Sequence, residues 1–99
     1  MKTKVELSKG SLKLVCEMEG TIKCCSAIIE DTLRSDIFTF LPTHLLEKVN
    51  VSVTVRKVDK HIEIVEEIKS DEAIIETIKD LIISIFKRHA TVLIPRLVM

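Results

Sequence analysis

The segment that decides the fold is AIIETIKDLIISIF, residues 73–86. Its apolar residues recur at helical spacing, which predicts an amphipathic helix. One set of these residues consists of Ile74, Ile78, Leu81 and Ile85. A second set consists of Ile75, Ile82, Ile83 and Phe86. Because a surface helix needs only one apolar stripe, we expect the first set to cover the domain's own sheet and the second to contact another chain.

Three segments upstream of this helix alternate between apolar and polar residues, as half-buried β-strands do. They span residues 12–18, 49–55 and 61–68. In the last of them Glu66 falls on the apolar face, so either the strand ends early or a bulge shifts its register. A short turn joins the second and third segments into a hairpin, and the sheet is therefore antiparallel at least there.

The first helix is predicted over residues 22–34, where apolar side chains recur at helical spacing and Thr21 precedes them as an N-cap. Residues 36–48 show no clear pattern, except that THLLEK is compatible with one helical turn. The sequence SDE at 70–72 supplies the residue types of an N-cap and an acidic first turn. The second helix should run from there to about His89.

These elements predict an α+β fold in the order strand, helix, strand, strand, helix. A three-stranded antiparallel sheet would carry two helices packed on one face. Residues 1–99 would form a single domain, with an N-terminal arm or short extended segment within 1–10 and an apolar tail at 90–99. Pro95 should break any helix before it. The predicted core consists of Leu14, Cys16, Ile29, Leu33, Val51, Val53, Ile62, Ile64, Ile78 and Leu81.

Charge and composition limit the function classes. The chain has 15 basic and 15 acidic residues, whereas a dedicated nucleic-acid binder is usually basic. Aromatic residues make up 3%, too few for a base-stacking platform. The leaning towards Ile, Val, Leu, Lys and Glu is compatible with a thermophilic, archaeal source, and an AT-rich genome would give the same bias. With neither a membrane span nor a signal peptide in the sequence, we expect a cytoplasmic protein.

Residues with reactive side chains form no recognisable catalytic pattern. Cys24 and Cys25 are adjacent and diverge on a helix, so we expect them to pack rather than to bind a metal. Cys16 reads as a core residue of a strand. His44, His61 and His89 are scattered, and phosphate-loop or nucleophile motifs are missing from the sequence. We therefore expect a protein that is not an enzyme and that uses neither cofactor nor metal.

Two surfaces are predicted to bind partners. The apolar excess of the last helix and the tail predicts a protein interface. Its residues are Ile75, Ile82, Ile83, Phe86, Leu93, Ile94 and Leu97. Basic residues on the hairpin and at the end of the last helix form either a solvated rim or an RNA-contacting edge. These are Arg56, Lys57, Lys60, Lys87 and Arg88.

The pattern resembles one known family. LKLVCEMEG at 12–20 matches its first strand, and TLRSD at 32–36 matches the end of its first helix. A hairpin follows, and then SDEAIIETIKDLIISIF at 70–86 is similar to its signature helix. Over 12–91 the chain thus resembles the small dimerisation subunit of the KEOPS complex, in the family that includes the cancer/testis-antigen-like proteins. Ile75 stands where that family usually has Arg, which suits a diverged paralogue.

The resemblance implies an accessory subunit of a tRNA-modifying complex that makes threonylcarbamoyladenosine. Such a subunit would dimerise with itself or a paralogue, dock on the KEOPS catalytic subunit through its helices, and meet tRNA only within the complex. The sequence is also compatible with two other functions. One is a stand-alone nucleic-acid-binding module of similar small fold, and the other is a self-associating structural or viral protein.

Overall fold

A computed structural model describes residues 1–22 and 25–98 of the chain. The strands are β1 (Lys2–Ser8), β2 (Ser11–Glu19), β3 (Asn50–Val58) and β4 (His61–Lys69). The helices are α1 (Ser26–Phe40), α2 (Glu72–Arg88) and the single turn α3 (Ile94–Leu97). A 3₁₀ turn at Thr43–Leu45 follows α1, and a π-helical segment at His89–Leu93 joins α2 to α3.

The strands form one antiparallel sheet in the order β1-β2-β4-β3. Two hairpins, β1–β2 and β3–β4, meet along β2 and β4. Helix α1 packs over the β3 side of the sheet and α2 over the β2 side. The predicted α+β class, the antiparallel sheet and the two long helices are confirmed. The predicted number of strands is wrong, because the sheet has four strands rather than three.

The additional strand is β1, in the segment predicted to be an arm or a short extended stretch. Its pattern offers only Val5 and Leu7 as apolar residues, which is too short a run to predict a full strand. Gly10 closes the turn into β2 with a φ of +69°, a conformation that favours glycine. A Cβ there would lie 2.8 Å from the carbonyl oxygen of Ser70, whose N–H donates to the Gly10 carbonyl over 3.1 Å.

Helix α1 begins and ends later than the predicted range of 22–34. Its N-cap position is Cys25, not Thr21. The helix continues because its buried residues keep a spacing of four past Arg34 until Pro42 stops it. The buried residues of α1 are Ile29, Leu33 and Ile37. The segment that showed no clear pattern therefore begins with helix and contains the predicted short helical turn.

Helix α2 follows its prediction closely, with Asp71 at the N-cap and Glu72 in the first turn. The prediction that Pro95 breaks the helix is wrong, since helical backbone continues through the π-helical segment into α3. Pro95 is accommodated in the first turn of α3, where its missing N–H costs no hydrogen bond. A single antiparallel bridge from Val98 to Ile22 returns the chain end beside the exit of β2.

The core lies between the sheet and the helices. Of the ten predicted core residues, eight are buried, Val53 is half-buried, and Leu81 is 37% exposed. The prediction that Leu81 is buried is wrong because α2 turns a different stripe towards the sheet. That stripe consists of Ile75, Ile78, Ile82, Ile85 and Phe86. Helical spacing alone could not decide between the two stripes, since each is apolar.

Candidate functional site

A fully buried carboxylate on the central strand β4 is the most unusual feature of the core. Glu66 lies on the helix-covered face, two residues from Ile64 and from Ile68. The ladder passes through it regularly, with Leu14 opposite on β2 and Val53 opposite on β3. Neither an early strand end nor a bulge occurs, so both expectations for this residue are wrong. A charge at such a position needs a partner, because burying it alone is costly.

His89 supplies that partner at the point where α2 passes into the π-helical segment. Its buried ring lies between two carboxylates. The Nδ1 atom is 2.9 Å and 3.1 Å from the two carboxylate oxygens of Glu66, and Nε2 is 2.6 Å from Oδ2 of Asp36 on α1. Because ionised carboxylates only accept hydrogen bonds, both ring nitrogens donate. The arrangement therefore fits the doubly protonated imidazolium.

Arg88 completes the cluster at its outer end. Its guanidinium donates to Oδ2 of Asp36 and lies 4.8 Å from the centre of the Phe40 ring. The buried-charge network is thus Glu66, His89, Asp36 and Arg88, with two acids and two bases. Charges of opposite sign balance within it, which is the condition under which buried ions are tolerated.

The network shifts the pKa values of His89 and Asp36. Burial alone would lower the pKa of His89, but the hydrogen bonds and negative charges of Glu66 and Asp36 outweigh burial and raise that pKa above its usual 6.5. Partial burial would raise the pKa of Asp36, but hydrogen bonds from Arg88 and His89 lower it below its usual 3.8. Both shifts favour the charged forms of these two groups, His89 and Asp36.

The hydrogen bonds and ion pairs of this network connect helices and strands of the fold. Both nitrogens of His89 are occupied by carboxylates within the fold, so the ring presents no free nitrogen to a ligand. The network connects α1 through Asp36, β4 through Glu66, and the end of α2 through Arg88 and His89. Cys16 lies on the same face, where burial and the nearby charge of Glu66 raise the pKa of its thiol to about 11. A neutral thiol of this kind is a poor nucleophile.

A second feature lies outside the helix-covered area, between β1 and α2. The side chains of Val5 and Leu7 point to the same face of the sheet as the core, since they pair with Leu14 and Leu12. They are nevertheless 45% and 47% exposed, because the helices do not reach over β1. A groove of about 210 Å³ runs beside them. The groove is lined by Met1, Thr3, Val5, Ile83, Phe86, Lys87, Ala90 and Thr91.

The predicted partner-binding residues on α2 and the tail lie largely inside the molecule. Ile75, Ile82, Phe86 and Ile94 are buried in the core of the domain, so their assignment to a partner surface is wrong. Ile83, Leu93 and Leu97 are half-buried and pack against that core. The reason is that Ile75, Ile82 and Phe86 belong to the stripe that α2 turns towards the sheet. Of this set, Ile83 and Phe86 also line the groove.

The basic residues do not converge on one site through any contact in the described part of the chain. On the hairpin, Arg56 forms an ion pair with Glu63 over 3.8 Å, while Lys57 and Lys60 are exposed. On α2, Arg88 belongs to the buried-charge network and Lys87 lines the groove. An RNA contact through these residues stays a prediction.

The cysteines differ in position. Cys16 is buried, as expected for a strand core residue. Cys25 is exposed at the N-cap of α1, so the expectation that it packs in the core is wrong. Cys24 lies outside the described residues. Among residues 1–22 and 25–98, His, Cys, Asp and Glu do not form a group of three that could hold a metal ion.

Sequence reasoning missed the buried-charge network, although two of its members gave signals. Glu66 stood on an apolar face, and His89 followed directly on an apolar helix. A carboxylate in a core position requires a cationic partner, and that requirement pointed to a nearby histidine or arginine. Asp36 gave no such signal, because it stood in the segment without a clear pattern.

Comparison with known proteins finds no matching family model, no similar curated protein and no similar solved structure. The likeness to the KEOPS subunit therefore rests on the sequence pattern alone. Within the described residues, none of the helices is both long and apolar enough to cross a bilayer.

Proposed function

We propose that this protein is a non-catalytic assembly subunit that works by binding other protein chains. The observation that carries the proposal is the uncovered apolar row on β1, where Val5 and Leu7 remain 45% and 47% exposed beside the groove. Apolar side chains aligned on an unpaired strand edge mark a site of strand addition. The balanced charge of the chain supports a protein partner rather than a nucleic acid.

The narrower form of the proposal is an accessory subunit of a tRNA-modifying complex that makes threonylcarbamoyladenosine. It is supported by the run of helix, hairpin and helix after β2, which is the order that the resembling family has. The docking surface, however, would differ from the one implied by the resemblance. The uncovered β1 edge and its groove take the place of the α2 stripe, which serves the core.

Two measurements test this function. The first captures partners with the tagged protein in its own organism, beside a Val5→Lys variant that places a charge in the apolar row. We expect the partner proteins to be lost with the variant, and subunits of a threonylcarbamoyl transferase to be among them. Identical capture by both proteins would contradict the proposal. As a matched control, Lys57→Glu alters the exposed end of β3 and should keep the partners.

The second measurement titrates labelled tRNA with the isolated protein at 50 and 200 mM salt. We expect only weak binding, because an assembly subunit of zero formal net charge gains little from counterion release. Tight binding that falls steeply with salt would instead favour the stand-alone nucleic-acid-binding module. The exposed Lys57 and Lys60 on the hairpin would then be the first residues to replace.

A further inference from the structure

The two outer edges of the sheet differ in how their backbone groups are used. On β3, the outward N–H of Val55 donates to Oε2 of Glu30 over 2.9 Å, so α1 occupies the middle of that edge. On the opposite side, β1 pairs with β2 along one edge only, and within the described residues it has no strand on the other. An unpaired strand of seven residues is a template for another strand.

We propose that the partner at this edge is a second copy of the chain, with β1 pairing antiparallel to β1 about a two-fold axis at Val5. This inference rests on the proposed assembly function and specifies the first partner. The two four-stranded sheets would then continue as one sheet of eight strands. The sequence of β1, KTKVELS, is complementary to itself when it is paired with a reversed copy.

The complementarity lies in the charges. With Val5 opposite Val5, each Lys4 lies opposite the Glu6 of the other copy, and each Glu6 opposite the other Lys4. Within one chain these two side chains already share a face and an ion pair of 2.7 Å. Opposite charges directly across an antiparallel pair are stabilising, and the two-fold axis provides this contact twice.

The same register matches the apolar face. Thr3 lies opposite Leu7 on either side of the central Val5 pair, so the exposed apolar row of one copy continues into that of the other. The helices of both copies stay on one face, because an antiparallel pairing with Val5 on the axis places residues of equal orientation opposite each other. The pairing extends the apolar surface across the groove beside α2.

Neighbouring registers of the β1–β1 pair place like charges opposite each other or apolar and charged faces on the same side. A shift by two residues in one direction places Lys4 opposite Lys4, and in the other direction it places Glu6 opposite Glu6. Like charges directly opposite each other are destabilising. A shift by one residue turns the apolar row of one copy onto the charged face of the other. Only the register centred on Val5 satisfies both requirements.

The decisive experiment uses charge reversal and mixing. We expect K4E alone and E6K alone to weaken dimerisation at least about tenfold in sedimentation equilibrium, because each places like charges opposite each other twice. Mixing the K4E chain with the E6K chain should give a heterodimer, and the double variant K4E/E6K should dimerise like the unaltered protein. Lys57→Glu, on the β3 side, is the matched control and should leave dimerisation unchanged.

Three results would overturn the inference. They are a monomer at all concentrations, a dimer that K4E and E6K leave intact, and single variants that form no heterodimer on mixing. Circular dichroism of each variant checks the fold. If a variant unfolds, amide spectra of the unaltered protein decide: shifts on dilution confined to residues 2–8 support the inference, and shifts elsewhere overturn it. The assembly function can hold without the dimer. It would be supported if the unaltered protein were monomeric but its captured partners were still lost with the Val5→Lys variant.

Discussion

The two halves of the sheet differ in whether unusual side chains and free backbone groups are covered by the rest of the chain. In the half formed by β3 and β4, a charged residue on the core face is fully enclosed by partners, and an outward N–H at the edge meets a carboxylate. In the half that ends in β1, apolar side chains on the same face remain about half exposed, and the outer strand edge has no partner among the described residues. The chain itself covers the first half, and the second half is where we propose that another chain binds.

This difference teaches that polarity alone does not determine burial. Glu66 is buried because the helices cover β4 and the buried ring of His89 donates a hydrogen bond to its carboxylate. Val5 is exposed because the same helices do not extend over β1. Variants in the closed half should therefore change the free energy of unfolding. Variants on β1 should change association instead, as the charge-reversal experiment tests.

The largest expected effect in the closed half is that of Glu66→Ala. Removing this carboxylate leaves His89 buried with an incomplete set of partners, and breaking a buried ion pair in this way typically costs about 3–5 kcal/mol. We expect the free energy of unfolding in urea to fall by that amount. The control is Glu67→Ala on the open face, where an ion pair with Lys69 at 3.4 Å should contribute under about 1 kcal/mol. Equal losses for the two variants would contradict the role of the network.

The pH dependence should be intermediate in size. Because the folded-state pKa of His89 is raised above 6.5, its contribution is fully present below pH 6.5 and is lost as pH rises through the folded pKa. The free energy of unfolding should thus decrease above pH 6.5, by at most about 1.4 kcal/mol per pH unit. For Asp36 the sign is opposite, so its contribution is present above pH 3.8 and is lost in more acidic solution.

Urea titrations between pH 5.5 and 9 measure this dependence. His89→Gln should remove the slope above pH 6.5, whereas His61→Gln, at an exposed position of β4, should retain it. An unaltered slope in the His89 variant would show that another group titrates. The nitrogen and carbon shifts of the imidazole ring would then locate the proton directly.

The smallest effect is expected at the β3 edge. Glu30→Ala removes the acceptor of the Val55 N–H, and one such hydrogen bond contributes about 1 kcal/mol. Hydrogen exchange at the Val55 amide should become faster. Asp31→Ala removes an exposed ion pair with Arg34 and should leave that exchange rate unchanged. Equal exchange rates of the Val55 amide in the two variants would show that Glu30 does not protect this edge, and the difference between the two edges would disappear.

The sequence predicted much of the fold because its strands and helices are strongly periodic. The alternation in 49–55 and the helical spacing in 73–86 needed little tertiary information. The strand β1 was missed because two apolar residues make too short a pattern. The predicted partner surface on α2 was wrong because two apolar stripes on one helix give the same sequence pattern whichever of them packs on the domain's own sheet.

The site could be predicted less well, because it depends on residues far apart in the chain. Asp36, Glu66 and His89 come together only after α1, β4 and α2 have packed. Sequence periodicity reports the face on which each residue lies, and it contains nothing about which distant residue lies opposite. The sequence showed a charged residue, Glu66, at an apolar position of a strand. Its partner, His89, became apparent only in the packed fold.

The strand order also has a consequence for how fast the chain folds. Each hairpin pairs neighbouring segments, and such pairs form within about 1–10 μs. The contact between β2 and β4 is different, since Ser11 pairs with Lys69 and Glu19 with His61. That pairing closes a loop of roughly 40 to 60 residues, whose entropy is lost before the contacts form. The joining of two preformed hairpins along this central seam should therefore set the rate of folding.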